Sequence, residues 1–306
     1  MKYDTIIRVP LVGRVVRRTR ARVVVYWAVI LSLFVLGYRM TVRPAVHTTD
    51  STTYYQSNNA TLGFQKIYVL HMPSRTERRL NMDALSAFHN LDFTYPRVFN
   101  KHDANTMAAA NNYLINGTHL ACYLSHLHVY KQMIEDNIET ALILEDDVDM
   151  ELDLMHRHTH IMQQVYERYG RDWDMLYLGH CTWDRNEPAR PTAHNVSLYE
   201  AEYPVCMHAY VVTRDCARRL AVVLEERLTS VGRDIDMVLA VGVQFGVSVV
   251  LGTSPPYIVQ IGRRELVSDL TLLEDGDTAQ SLTQSTLFHL NMRSTDPRTL
   301  PAYMVF

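Results

Sequence analysis

The sequence is poor in the residues that mark special architectures. Twelve glycines and eleven prolines among 306 residues exclude a collagen-like repeat and a Pro/Gly-rich disordered chain. Four cysteines, none of them in a C-x-x-C pair, exclude a small disulfide-stapled scaffold and leave a zinc ribbon or a thioredoxin motif unsupported. No internal repeat is evident. The net charge is only -3. What is present is an ordinary globular composition, 47% hydrophobic and 21% charged, at a length that suits one large α/β domain or two medium ones.

The near-neutral total conceals an asymmetry. Residues 1–43 carry nine Lys/Arg and one Asp. Removing these from whole-chain totals of 30 and 33 leaves 21 basic against 32 acidic groups, a net of -11. An acidic body argues against a nucleic-acid partner and for a metal ion.

Residues 23–38 read VVVYWAVILSLFVLGY, sixteen uncharged positions between Arg22 and Arg39. That is slightly short of a bilayer span, a gap that snorkelling arginines and a thin early-secretory membrane close. Six arginines (Arg8, Arg14, Arg17, Arg18, Arg20, Arg22) precede the run, and the positive-inside rule keeps that end in the cytosol. The following GYRMTVRP offers no small-residue cleavage site, so the run reads as an uncleaved signal-anchor, with everything beyond Met40 lumenal. Glycan acceptor sequons at Asn59, Asn116 and Asn195 agree with a lumen, as do cysteines confined to the region beyond the anchor (Cys122, Cys181, Cys206, Cys216). Cys181 and Cys206 either staple the polar loop between them or remain small buried thiols. The expected organisation is a basic tail (1–22), a transmembrane helix (23–40), a Thr/Ser/Asn-rich stem (41–63), a globular body (64–275) and a C-terminal extension (276–306).

Within the body, strand-like and helix-like patterns alternate. KIYVLHM predicts a strand, and Ser74 with Glu77 predicts a capping box opening the helix RTERRLNMDALSAF. DFTYPRVF predicts an edge strand because of Pro96. Thr118 is placed to cap the helix HLACYLSHLHVYKQMIEDN. TALILEDDV, WDMLYLGH, HAYVVT and VSVVLG predict further strands, separated by the helical patterns LDLMHRHTHIMQQVYERY and RDCARRLAVVLEERL. The fold class is α/β, an open and largely parallel sheet with helices on both faces.

The chemistry concentrates where ALIL ends in Glu145, Asp146, Asp147 and, two residues on, Asp149. The carboxyl edge of an open α/β sheet is where ligands bind. Crowded carboxylates repel unless a cation or hydrogen-bond donors offset them. A hard divalent ion is the economical partner, the alternative being a solvated acidic turn. An EF-hand does not fit, because position 6 counted from Asp147 is Leu152 and position 12 is His158. His156 and His160 share a helix face without a third ligand nearby and read as solvated. Trp183 and Asp184 follow a strand end and are candidates for stacking on a sugar ring.

The runs KIYVLHMPSRTERR, ACYLSHLHVYKQMIEDNIETALILEDDV, DWDMLYLG and AYVVTRDCARRL resemble, in order, the motifs of glycosyltransferase family 25. The family contains bacterial lipooligosaccharide galactosyltransferases and the procollagen galactosyltransferases. The resemblance runs from about Phe64 to about Leu270 and implies a GT-A type nucleotide-sugar (Rossmann-like) fold, a UDP-hexose donor, usually UDP-galactose, a glycan or glycoprotein acceptor, and Mn²⁺ (or Mg²⁺) as cofactor. With the anchor it implies a single-pass type II protein of the Golgi or endoplasmic-reticulum membrane.

Carried over residue by residue, it implies that Arg75 and Arg78 meet the uridine or diphosphate, their alternative being ordinary helix charge. Ser125 and His126, in Cys122-x-x-Ser-His, line the donor pocket or serve structure. Glu145 and Asp146 contact the donor, while Asp147 and Asp149 hold the metal. Inversion requires one base, for which Asp236 is the candidate and Asp234 the second; a helix cap made of aspartates is the alternative. Gln260 and the Ser268–Asp269 pair match the end of the pattern. Two departures stand out: His71 replaces a family Asn, and His119 replaces a family Glu, which removes a negative charge near the pocket. Competing readings are a catalytically weak, membrane-anchored carbohydrate-binding or scaffold relative, and a metal-dependent phosphohydrolase.

Overall fold

The computed structural model describes residues 59–103, 117–181, 186–188, 196–228, 234–244, 248–261 and 282–292. The proposed anchor, the stem up to residue 58, the sequons at Asn116 and Asn195, Trp183, Asp184, Ser268 and Asp269 lie outside these residues. Among the described residues no helix is long and apolar enough to cross a membrane.

The elements run β1 (Lys66–Leu70), α1 (Thr76–His89), β2 (Phe93–Thr94), α2 (Gly117–Glu135), β3 (Thr140–Glu145), β4 (Val148–Met150), α3 (Leu154–Tyr169) and β5 (Met175–Gly179). They continue with β6 (Ser197–Glu200), β7 (Ala209–Thr213), α4 (Arg214–Leu228), α5 (Ile235–Gln244), β8 (Val250–Ser254), β9 (Ile258–Gln260) and α6 (Thr286–His289). Seven strands form one sheet in the order β2-β1-β3-β7-β5-β8-β6. Parallel pairing joins β1 to β2, β1 to β3 and β5 to β8, while β7 pairs antiparallel with β3 and β5, and β6 with β8. Five strands therefore share one direction and two run against it. The expected parallel-rich α/β sheet is present, with one reversed strand in its middle.

Both faces of the sheet are covered, which is why its strands read as unbroken apolar runs. Along β3 the side chains alternate: Leu142 and Leu144 join one core with Met82 and Leu85 of α1 and Ile161 and Val165 of α3. Ala141 and Ile143 join the other, with Tyr123 and Leu127 of α2 and Leu220 and Leu224 of α4. The period-two alternation of a strand thus feeds two separate helix layers. Burying one Leu or Ile of this kind is worth about 1.5–3 kcal/mol.

Helix boundaries depart from the sequence reading at two caps. α1 begins at Thr76 with Arg75 at its N-cap, and no side chain caps it. A turn in which the Arg75 N–H bonds the Met72 carbonyl (2.8 Å) brings the chain into the helix one residue too late for Ser74 to reach its first N–H groups. α2 extends from Gly117, so Thr118 lies inside its first turn. Its buried side also carries Tyr123, Val129, Tyr130 and Met133, a broader face than a leucine stripe. β2 is short and lies at the sheet edge, as Pro96 predicts. Cys181 and Cys206 are joined as a disulfide.

Residues 282–292, assigned by sequence to the extension, pack onto the body. Leu282 and Leu287 are fully buried, Glu151 bridges to Ser285, and α6 lies against α1 and β4.

Candidate functional site

Consecutive strands lie on opposite sides of β1: β2 on one, β3 on the other. The carboxyl ends of β1 and β3 therefore diverge into loops that leave in different directions, and a crevice opens between them. A cavity of about 320 Å³ occupies that place. The β1 end (Leu70, Met72, Ser74), the α1 start (Arg75, Arg78), one side of α2 (Thr118, Ala121, Cys122, Ser125, His126) and the β3 end (Glu145, Asp146, Asp147) line it, with Gln260 of β9. Its outer wall is Val98 to His102, a loop the sequence reading passed over. The signal was there, in the polar turn residues Asn100, Lys101 and His102 right after an edge strand.

The acidic run leaves β3 and its carboxylates part company. Asp146 is consumed inside the protein. It accepts hydrogen bonds from Arg78 Nη1 (2.6 Å), the Met72 N–H (3.2 Å) and His71 Nδ1 (2.8 Å), tying β3 to the loop after β1. His71, the replacement for a family Asn, is thus a hydrogen-bonding partner of this clamp. Asp149 turns to the opposite side and does not line the cavity. It accepts from the Leu287 N–H (3.1 Å), from its neighbour Met150 N–H (2.7 Å) and from the Ser285 hydroxyl, so it anchors α6. Asp147 and Asp149, expected together as metal ligands, do not share one site, because the chain turns at 146–147 before β4 starts.

Asp147 faces the cavity with weak internal partners. Gln260 Nε2 donates to it at 3.3 and 3.4 Å, and Arg78 Nη1 lies 3.2 Å away. Burial, then the neighbouring Glu145 charge, pushes its carboxyl up to about 7. Its backbone is held firmly: β4 pairs with β9 so that Val148 faces Gln260, and the Ile261 N–H bonds the Asp147 carbonyl at 2.7 Å. Glu145 behaves oppositely. Burial raises it, but the nearby His126 ring, 3.7 Å away, and the charges of His208 and Arg78 outweigh burial and lower it. Two carboxylates two residues apart are driven in opposite directions, the pattern of a functional site.

The other expected residues divide as follows. Arg75 is partly exposed, lines the cavity and pairs with Glu77 at 3.3 Å. Arg78 is buried and clamps Asp146 and Asp147. The Ser125 hydroxyl donates to the Ala121 carbonyl (2.7 Å) and accepts from the Phe99 N–H (2.9 Å), fixing the outer wall. His126 is fully buried, its Nδ1 held 2.8 Å from the Tyr210 hydroxyl.

Asp236 and Asp234, at the start of α5, do not line the cavity, but their charges act on Cys122, which does. Burial, followed by the charges of Glu145, Asp236, Asp234 and Asp147, pushes the Cys122 thiol well up. Burial also raises Asp236, against backbone hydrogen bonds from Cys206 (3.3 Å) and Met237 (2.7 Å). Asp234 pairs with His119. The alternating histidines are structural. His158 bonds the Leu62 carbonyl and Tyr257 in the core, and His156 and His160 are exposed.

Comparison with known proteins gives these residues a context. Residues 64–237, more than half of the chain, match Glycosyltransferase family 25 (LPS biosynthesis protein). Procollagen galactosyltransferase 1-B of Xenopus laevis is 23% identical over 191 residues, covering 58% of this chain and 31% of the relative. Procollagen galactosyltransferase 2 of Homo sapiens is 23% identical over 192 residues, covering 58% and 30%. Inactive glycosyltransferase 25 family member 3 of Homo sapiens is 25% identical over 196 residues, covering 58% and 32%. The chain thus spans about a third of the length of the curated relatives it matches. A solved glycosyltransferase involved in glycosylation of the major capsid of PBCV-1 aligns at a TM-score of 0.33 and 12% identity, over 59% of this chain and 74% of that one, a likeness too low to carry argument.

Proposed function

The chain belongs to glycosyltransferase family 25, and from that premise we propose that its body transfers a hexose, galactose foremost, from a UDP-sugar to a hydroxyl of a glycan or glycoprotein, with inversion. The observation that carries this reading is Asp147. It is a buried carboxylate at a sheet's switch point, raised by burial and by Glu145, whose donors among the described residues are Arg78 and a long contact from Gln260. Such a group is stabilised by a cation.

The donor chemistry, a carboxylate at a cavity edge with the donor's diphosphate beside it, fits a hard divalent ion. Asp147 would hold Mn²⁺ (or Mg²⁺), with Glu145 beside it contacting the donor. When bound, the metal supplies charge compensation for the leaving diphosphate. Asp149 is left out of the set because its carboxylate is spent on α6. Arg75, at the cavity rim, meets the diphosphate, and Arg78 keeps Asp146 and Asp147 in register. Ser125 holds the Phe99 wall that covers the donor and excludes water. Asp236 takes the acceptor proton, a role its burial-raised pKa suits, with Asp234 second. The uncharged run 23–38 and the six arginines before it support anchorage in a Golgi or endoplasmic-reticulum membrane with the body lumenal, and the Cys181–Cys206 disulfide agrees with an oxidising lumen.

One observation favours the second reading, a carbohydrate-binding relative without turnover. His119 engages Asp234, withdrawing one of the two candidate bases. The deciding experiment is UDP release from UDP-galactose by the purified full chain, with and without Mn²⁺ and with a mixed glycan acceptor, beside thermal shifts with UDP and Mn²⁺. Turnover lost in Asp147→Asn is expected. A shift without turnover supports the binding relative, and neither shift nor turnover overturns both readings.

A further inference from the structure

In the wall of the cavity, beside Asp147, stands a second cluster whose chemistry differs from that of Asp147. Cys122 and His126 stand one helical turn apart on α2, on the same face, and both point at the end of β3. One ligand-capable atom from each of Cys122, His126 and Glu145 lies within 4.8 Å of the others. A tetrahedral zinc site would set such atoms roughly 3.3–3.8 Å apart, a difference that small rotamer changes close. His126 Nε2 is already 3.7 Å from Glu145 Oε1.

His126 supplies an independent reason to look for a ligand. Its ring is fully buried. Nδ1 is held by the Tyr210 hydroxyl at 2.8 Å, and Tyr210 is in turn held by Tyr130 at 2.8 Å. Among the described residues Nε2 has no hydrogen-bond partner; Glu145, at 3.7 Å, is too distant for one. A buried imidazole nitrogen left unsatisfied is costly. An orienting hydrogen bond on one nitrogen with the other aimed at a thiol and a carboxylate is how ligating histidines are held. Burial explains the apolar packing of Tyr130 and Tyr210 without explaining an unpartnered Nε2. The surrounding charge is favourable to a cation as well: Glu145, Asp147, Asp234 and Asp236 all act on Cys122.

We propose that Cys122, His126 and Glu145 form a site for one borderline-soft divalent cation of the zinc class, separate from the hard-ion position at Asp147 and open to the cavity at its fourth position. Sulfur and imidazole ligands select zinc or cobalt over manganese or magnesium, so the two positions differ in the ion they prefer. The site does not depend on the transferase reading, since it is tested by binding and not by turnover.

The probe is Co²⁺, followed by Zn²⁺, added to the metal-free, purified full chain. One equivalent of Co²⁺ is expected to produce a thiolate-to-cobalt charge-transfer absorption that one equivalent of Zn²⁺ abolishes. Cys122→Ser removes the band, and Glu145→Gln weakens binding at least tenfold. Asp147→Asn and Cys216→Ser keep the band. In parallel, Zn²⁺ but not Mg²⁺ slows alkylation of Cys122, measured by mass spectrometry, by at least tenfold in the unmutated protein. This second arm needs no variant to fold. Absence of the band, its survival in Cys122→Ser, or alkylation indifferent to Zn²⁺ overturns the proposal.

Discussion

Asp147 and the pair Asp149 and Glu151 stand within five residues of one another, yet their surroundings are opposite. On the α6 side, Glu151 accepts from the Thr283 and Gln284 N–H groups (2.6 and 2.9 Å), and Asp149 from Leu287 and Ser285. Those carboxylates satisfy backbone donors of a returning segment, as a helix cap does. On the cavity side Asp147 has a long contact to Gln260 and a share of Arg78. The lesson is that an acidic cluster is not one object. Carboxylates with a complete donor set contribute to the fold, whereas one left with an incomplete set is where an external cation or substrate is needed.

That contrast can be broken by substitution. The largest effect is expected from Asp147→Asn, which lowers UDP-galactose turnover by about 100-fold or more and abolishes the thermal shift given by Mn²⁺, while the protein remains folded; unchanged turnover would remove Asp147 from the site. Asp149→Ala should do the reverse. It leaves buried donors at Ser285 and Leu287 unsatisfied and costs about 2–4 kcal/mol in urea unfolding, with the Mn²⁺ shift retained.

The same comparison has a pH signature. The folded-state pKa of Asp147, about 7, lies above its ordinary 3.8, so between those values the folded state holds the extra proton. Its contribution to stability is therefore full below about pH 4 and is lost as pH rises toward 7. Asp147→Asn should consequently be more stable than the parent at pH 8 without metal, and Mn²⁺ should close the difference. His158 and His208 act with the opposite sign. Burial lowers both to about 4 from 6.5, so the unfolded chain takes up protons first and stability is lost as pH falls from 6.5 toward 4. Between pH 7 and 5, His158 alone accounts for about 2 kcal/mol, and His158→Gln should flatten that part of a pH-dependent melting curve. The smallest effect belongs to Ser74→Ala: because Ser74 caps nothing, its cost should stay under about 0.5 kcal/mol, whereas a real cap would cost about 1 kcal/mol.

Much of this arrangement was legible beforehand. The alternation of apolar runs with amphipathic stretches located β1, β3, β5, β7 and β8 and the helices α1 to α4, though not α5, because burial on two faces leaves a continuous apolar signature. The strand end bearing Glu145, Asp146 and Asp147 was marked by composition alone. Less legible was the division of labour among those residues. Whether a carboxylate binds a metal or caps a helix depends on donors far away in sequence, such as His71 and Arg78 for Asp146 and Ser285 and Leu287 for Asp149. The role of Tyr210 behind His126 was missed for the same reason, since it carries no local motif, whereas the wall at Val98 to His102 carried only the weak mark of its polar turn residues.

By itself the sequence determined the class of fold and the strand end where chemistry gathers, since hydrophobic periodicity and charge crowding are local properties of the chain. The tertiary structure alone decided which carboxylate keeps an incomplete donor set, which histidine nitrogen lacks a partner among the described residues, and that residues near 285 return to complete the body. Those outcomes depend on long-range donors and acceptors meeting at about 3 Å, a coincidence that no short window of sequence encodes.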